Sequence, residues 1–430
     1  MELILGYIFT FLVLICIGIP VAFALGIATL GAFSLTDFPI LAIPHKMWNG
    51  LESFPLVAIP FFIFAGELMS TGGILSRILD FARLLVGRFR GAFYHINVVI
   101  SMIFGGLNGS AVADASACGS LLTKPTTEEY KDPAMAAAVT ACTSVVGPII
   151  PPSIPMLIYV FVSGNVSVTE MFAAGIIPGI ILGLGMMGII YFLMRKTKKP
   201  VVQAYNSSKI FKILLRFLVA FCLPLIMIGG IVSGIFSPTE AGCIAVLYAI
   251  VIGFYVTKEL TYKTFYEAGI RTIIVTAIVM IMISIAKVST WWLTLEQVPL
   301  TVSAFLQSLT TSKYIFLLLL IMFYLIIGLF IEQAAAIIML VPVFLPVAMT
   351  YNIDPIQFGI VTIVSLAVGL ITPPVGLCVY ITAGIAQTKV ESVFVKVFPF
   401  LIFQVFLLIV LAFFPQIYLW VPKLLIGGLG

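Results

Sequence analysis

Long apolar runs separated by short polar connections fill the chain, and the runs break at glycine and proline more often than at charge. Residues 3 to 35 form one run, broken at Gly18-Ile19-Pro20, which reads as one long span or a tight pair of short ones. A connection carrying Asp37, His45, Lys46 and Glu52 leads to residues 56 to 69, which contain Glu67 and end at Gly72-Gly73. Ile74, Leu75, Ile78, Leu79, Leu84 and Leu85 then recur at helical spacing opposite Arg77, Asp80, Arg83, Arg88 and Arg90. That pattern predicts an amphipathic helix on a membrane surface, and its arginines place it on the cytoplasmic side. Residues 92 to 122 are apolar but split at Gly105-Gly106 and Asn108-Gly109-Ser110. Halves of ~12 to 15 residues are too short for a ~30 Å hydrocarbon core. A re-entrant hairpin is expected, with residues 124 to 132 as its cytoplasmic exit. Residues 134 to 163, ~45 Å long as one helix, are interrupted at Gly147, Pro148, Pro151 and Ser153 and predict a discontinuous helix.

The second half runs through the same sequence of patterns. A span over residues 171 to 194 leads to a connection, 195 to 216, with seven basic residues and no acidic one, the strongest cytoplasmic marker. Spans over 217 to 236 and 239 to 256 return the chain to that side, at 258 to 271. A span over 272 to 290 and a surface segment over 299 to 311 follow. Residues 314 to 349 then repeat the hairpin, 356 to 384 the broken helix, and 393 to 420 form the last span. Gly328 and Gly106, Gly369 and Gly147, Pro373 and Pro151, and Asp354 and Asp132 are each 222 positions apart. Landmarks held in register without insertion are read as an internal repeat. The first hairpin enters from the cytoplasm and the second from outside, so the repeats are inverted. The expected fold is an all-α polytopic membrane protein with four parts: 1–91 and 195–312 as scaffold, 92–194 and 313–430 as transport elements.

Composition excludes a soluble globular class. Hydrophobic residues make up 62% of the chain and charged residues 9%, far below the roughly 25% charge of a soluble domain. The length holds about ten to twelve segments of ~20 residues. The net charge of +5 lies between apolar runs, which reads as topology and not as nucleic-acid binding. The N-terminus has no basic region or cleavage site, so no removed leader is expected. The six cysteines lie in apolar runs without a C-x-x-C pair and read as filler. His45 and His95 lie beside loops and read as interfacial, as do Trp291, Trp292, Tyr418 and Trp420.

Backbone breaks at membrane depth are tolerated only where they line a cavity or bind something, and matched breaks in two halves point to a transporter's site. Exposed helix N-termini favour an anion, while unwound carbonyls and small side-chain oxygens favour a small cation. The side chains available are Asn108, Ser110, Ser153, Glu332, Gln333 and Thr372, with backbone from Gly109, Gly147, Gly328, Gly369 and Gly376. Oxygen ligands suit Na+ or H+ and no transition metal. Glu332 is a ligand, a proton site or a helix cap, and Asn108 and Ser110 are ligands or caps. Asp114, Glu67 and Glu240 are the other titratable candidates, Asp114 and Glu67 reading foremost as interhelical hydrogen-bonding groups. Lys287 either snorkels, pairs with an acid or meets the anion.

Residues 104–120, 147–155, 175–179, 230–242, 328–336 and 369–376 together resemble the large membrane subunit of tripartite ATP-independent periplasmic (TRAP) transporters, and the resemblance covers nearly the whole chain. It implies an elevator-type secondary transporter in the bacterial inner membrane that uses a Na+ gradient. It also implies a small four-helix membrane subunit and a periplasmic binding protein that delivers an organic acid such as a C4-dicarboxylate, sugar acid or sialic acid. Carried onto this chain, one sodium site falls where Asn108, Gly109 and Ser110 meet Gly147, Pro148, Pro151 and Ser153. The other falls where Glu332, Gln333 and Ala334 meet Gly369, Thr372, Pro373 and Gly376. Substrate would lie between them, near Asn108, Ser153 and Thr372. The family's first tip is commonly serine-rich and its second commonly carries Asp, where this chain has Asn108 and Glu332. Backbone carbonyls are therefore the expected ion ligands.

Three other readings compete. A divalent-anion symporter would work without a binding protein, a membrane hydrolase would need a dyad such as Ser110 with His95, and a channel would need a continuous polar pore-lining helix.

Overall fold

The computed structural model describes residues 2–36, 39–52, 54–197 and 206–426, which fold into helices with no strand among them. Asp37, residues 198–205 of the basic connection and the side chain of Asn108 lie outside the described residues. Helices α1 (Glu2–Cys16) and α2 (Val21–Ser34) pack on each other across the break at Gly18 and Pro20, so the first apolar run is a tight pair. Next come α3 (Ala42–Leu51), α4 (Ala58–Thr71) and α5 (Ile74–Val86), the last bent 69° away from α4. α5 is the amphipathic helix, with Ile74, Ile78, Ala82 and Val86 buried along one face.

The hairpin α6 (Ala92–Asn108) and α7 (Ala111–Tyr130) precedes the interrupted pair α8 (Pro133–Ser144) and α9 (Ile154–Ser163), then the long α10 (Val168–Leu193). After α11 (Ser207–Val232), α12 (Pro238–Val251), α13 (Tyr262–Leu295) and α14 (Val298–Leu309), the same order returns. It is a hairpin, α15 (Lys313–Phe330) with α16 (Gln333–Thr350), an interrupted pair, α17 (Pro355–Gly369) with α18 (Leu377–Ala386), and the long α19 (Val390–Phe413). A short α20 (Gln416–Ile426) closes the described chain. Among the described residues seven helices are long and apolar enough to cross a membrane, eight if bent α4–α5 is one span.

Local chemistry sets many of these starts. Asp132 accepts from Met135 N (2.9 Å) and Asp354 from Ile356 N (2.8 Å), each followed by proline at the first helical position, where its missing N–H costs nothing. Ser167 with Glu170, and Ser237 with Glu240, close reciprocal capping boxes at the starts of α10 and α12.

α4 packs between α12 and α13, and α13 also carries α2 and α3. The hairpins and interrupted helices interlock in a second group: α7 lies on α8 and α18, α9 on α16, α15 on α17, and α8 on α18 and α19. Polar side chains tie these helices at depth. Asn97 donates to Thr140 (2.6 Å), Gln357 to the Ala412 carbonyl (2.7 Å) and Gln404 to the Cys142 carbonyl (2.9 Å). At about 0.6 kcal/mol each in a membrane, such bonds fix register more than stability.

Several expectations change. The hairpin arms are 17, 20, 18 and 18 residues long, because the helices run through Gly105-Gly106 and Pro125 without breaking. Residues 124 to 130 of the polar stretch consequently continue α7, and α13 and α11 begin inside the connections at 258–271 and 195–216. The expected last span ends at Phe413, where Pro415 separates α19 from α20. Trp292 and Tyr418 are fully buried, not interfacial; Trp292 packs on Tyr7 with ring centroids 5.1 Å apart. Trp291 packs on Phe33 beneath Lys46, while Trp420 is exposed. His95 is also buried, next to Phe89.

Candidate functional site

Tip 1 is the break at Gly109 and Ser110 between α6 and α7. Gly109 has φ +62°, and a Cβ there would lie 2.7 Å from the backbone N of Ile154, the first residue of α9. One turn earlier, a Cβ on Gly105 would come within 2.7 Å of Gly147 Cα; at tip 2, the break at Ile331 and Glu332 between α15 and α16, a Cβ on Gly369 would come within 2.7 Å of Gly328 Cα. Each hairpin is thus pressed backbone to backbone onto the interruption that follows it, which only glycine permits. Both interruptions contain a cis peptide, at Pro151-Pro152 and Pro373-Pro374. The partner of Gly147 is Gly105 and not Gly106, so the hairpins meet their interruptions one residue out of the 222 register.

Ser110 caps α7, accepting from Ala113 N at 3.4 Å. Glu332 caps α16 through Oε2, which accepts from Ala334 N (2.9 Å) and Ala335 N (3.3 Å), while Oε1 has no hydrogen bond among the described residues. Gln333 is buried and donates from Nε2 to the Ile363 carbonyl (2.9 Å), tying tip 2 to α17. Ser153 is fully buried, donating to the Pro148 carbonyl (2.6 Å) and accepting from Met156 N (3.3 Å). Thr372 donates to the Val368 carbonyl within its own turn (2.9 Å). Asp114 is buried behind tip 1; Oδ1 accepts from the Cys118 thiol (3.2 Å), and Oδ2 has no partner among the described residues. Glu67 pairs with Arg271 (2.8 Å), whereas Lys287 lies 4.9 Å from the Phe161 ring and forms no ion pair among the described residues.

A cavity of about 340 Å³ joins the two tips. One wall is Gly109 and Ser110 with Glu332, Gln333 and Ala334; the facing wall is Pro20 to Ala22 and the α13 residues Val275, Ile278, Val279 and Met282. Ser153, Thr372, Gly147 and Gly369 lie outside its lining. Four helices, α2, α7, α9 and α16, point their N-termini at this one space. Each N-terminus carries roughly half a positive charge, and neither lysine nor arginine is among the described residues that line the cavity. The α13 wall has no sequence signal of its own, because its apolar side chains look like lipid-facing ones. The Pro20 break was the one visible sign of the opposite side.

The model of a family described as "Tripartite ATP-independent periplasmic transporter, DctM component" matches residues 8–417. The chain belongs to this family. Among its relatives, the sialic acid TRAP transporter permease protein SiaT of Haemophilus influenzae is 37% identical over 96% of this chain and 67% of that protein. The 2,3-diketo-L-gulonate TRAP transporter large permease protein YiaN of Escherichia coli is 35% identical over 94% of this chain and 95% of its own length. Among solved structures, the Alcanivorax borkumensis YdaH transporter shares the fold, with a TM-score of 0.62 and 16% identity over 85% of this chain and 86% of that one. A DctM-family chain is a transporter subunit of the inner membrane and not an enzyme. The Ser110–His95 dyad therefore has no role, and His95 is buried beside Phe89.

Proposed function

We propose that this DctM-family chain is the large membrane subunit of a Na+-driven importer of a carboxylate, held in the cavity between the two tips. The observation that carries this reading is the convergence of four helix N-termini on one space with no lysine or arginine among the described residues that line it. Glu332 meets the N-terminus of α16, and a substrate carboxylate meets those of α7 and α9. Relatives named for sialic acid and diketo-gulonate, both carboxylates, support the substrate class. Na+ occupies the junctions of tip 1 with Gly147 to Ser153 and of tip 2 with Gly369 to Gly376. There the close glycine contacts press each hairpin onto the interruption that follows it, whose unwound carbonyls are the ion ligands.

A small membrane subunit and a periplasmic binding protein complete the assembly, the latter delivering substrate from outside. The two repeats are inverted, and the hairpins and interrupted helices move as one block against α1–α4 and α11–α14. Each net positive charge carried inward gains ~2.3 kcal/mol per 100 mV, so two Na+ per monoanion make uptake concentrative. Uptake of labelled carboxylates into proteoliposomes holding the chain, its small subunit and its binding protein tests the reading. Accumulation must require both Na+ and the binding protein. Uptake without the binding protein would make the chain a self-sufficient symporter, and uptake driven by pH alone would remove Na+ from the mechanism.

A further inference from the structure

A second, smaller cavity of about 130 Å³ opens beside the first. The two share Ser110, Ile154 and Val275, so they form one path that turns around tip 1. The smaller space lies between Glu67 and Ser70 on α4 and Ala113 and Ala117 on α7. One turn before Val275 on α13, Arg271 donates from Nε to Glu67 Oε2 at 2.8 Å, and its side chain is 45% exposed.

The exposed face of α7 shows what fills this path. Its residues are Ala113, Ser116, Ser120 and Lys124, at spacings of one helical turn. The face of α10 that meets lipid instead exposes Ile180, Leu184 and Phe192. A row of small and polar side chains ending in a lysine belongs against water, not hydrocarbon. Arg271 closes the basic connection at 258–271. The Lys124 end of α7 stacks Tyr130 on Tyr94, near Arg90, which donates to the Arg195 carbonyl at the start of the basic connection 195–216. The row therefore leads from the tips to the cytoplasm.

We infer that this path is the aqueous exit for the transported carboxylate, and that Arg271, held by Glu67, is its last binding station before the cytoplasm. The inference rests on the importer reading. The central cavity offers the anion helix N-termini and no lysine or arginine among its described lining, and Arg271 offers a full positive charge along the way out. Glu67 occupies that charge when the path is empty and competes with the substrate for it. The competition keeps the station weak, which lets the anion leave.

The competition predicts effects of opposite sign. In proteoliposomes with the small subunit and binding protein, Ser116→Cys is labelled by an impermeant maleimide from the cytoplasmic side, against the background of the unchanged chain's own thiols. Sialic acid, 2,3-diketo-L-gulonate and succinate are tested for uptake, and the acid taken up is then tested for protection of Cys at 116. Arg271→Gln raises the protecting concentration about five- to tenfold, Glu67→Gln lowers it, and Arg271→Lys stays near the parent. The half-saturating concentration of loaded binding protein outside is unchanged in all three.

An ion pair that merely braces α4 against α13 would move both neutral variants in the same direction, which overturns the station. Arg271→Lys serves as the folded control if Arg271→Gln proves unstable. Failure of Ser116→Cys to label in vesicles that do transport overturns the aqueous path. Failure of the unchanged chain to take up any of the acids refutes the importer reading, and the station with it.

Discussion

At the scale of single residues, the site depends on side chains that are missing. Gly109 combines φ +62° with a backbone neighbour 2.7 Å from any added Cβ, so Gly109→Ala is strained on two counts. It should cost about 1–3 kcal/mol and abolish uptake, whereas Gly188→Ala, with nothing within 4 Å, should leave both intact. Thermal unfolding in detergent alongside vesicle uptake separates the two outcomes. Glu332 invites a different comparison. Its Oε2 is committed to two backbone N–H groups, and its Oε1 is not. Glu332→Gln keeps an acceptor for the cap, so stability should change by less than about 1 kcal/mol. The Na+ concentration for half-maximal uptake should rise, and an unchanged Na+ curve would leave the carboxylate as a cap only. The sequence could announce these positions because glycine and an isolated acid are conspicuous in an apolar run. It could not announce that Trp292 and Tyr418 are buried, since an aromatic side chain suits an interface and a helix contact equally well.

At the scale of helices, Asp132 performs two jobs that can be told apart. Oδ1 caps α8 through Met135 N, and Oδ2 meets Lys396 of α19 at 2.9 Å. Exposed pairs contribute about 0–1 kcal/mol, and N-caps about 1 kcal/mol, up to 2. Asp132→Ala should therefore lower the unfolding temperature more than Lys396→Ala, and Asp132→Asn should recover most of the loss. Equal losses from both alanines would make the ion pair the main contributor. Asp132 and Asp354, conspicuous in the sequence as landmarks of the repeat, turn out to start helices: the first turn needs acceptors, and few residues supply them. Helix lengths were less readable. The polar stretch after residue 122 suggested an end to the first hairpin, yet α7 continues to Tyr130. The wall contributed by α13 was hidden, because Val275, Ile278 and Met282 differ from lipid-facing residues only in what stands opposite them.

At the scale of the whole molecule, the register of 222 revealed that one plan is used twice, since paired breaks in lipid leave few alternatives for their backbone. What it could not reveal is which half touches which. If the block moves against α1–α4 and α11–α14, a bismaleimide joining cysteines at Val279 and Ala335, on opposite walls of the cavity, should stop uptake while leaving Na+-dependent substrate binding measurable. Undiminished transport after complete cross-linking would rule the movement out. The interlocking of the halves has a further consequence, for how the protein is made. The second arm of the first hairpin, α7, rests on α18, and α9 rests on α16. A ribosome that has finished α10 has therefore produced a hairpin and an interrupted helix that hold each other at Gly105 and Gly147 but whose faces for α16 and α18 are uncovered. They must wait, shielded by other membrane components, until the last quarter of the chain is inserted, and a message shortened before α18 should yield a product that is cleared by proteolysis and not a half-working transporter.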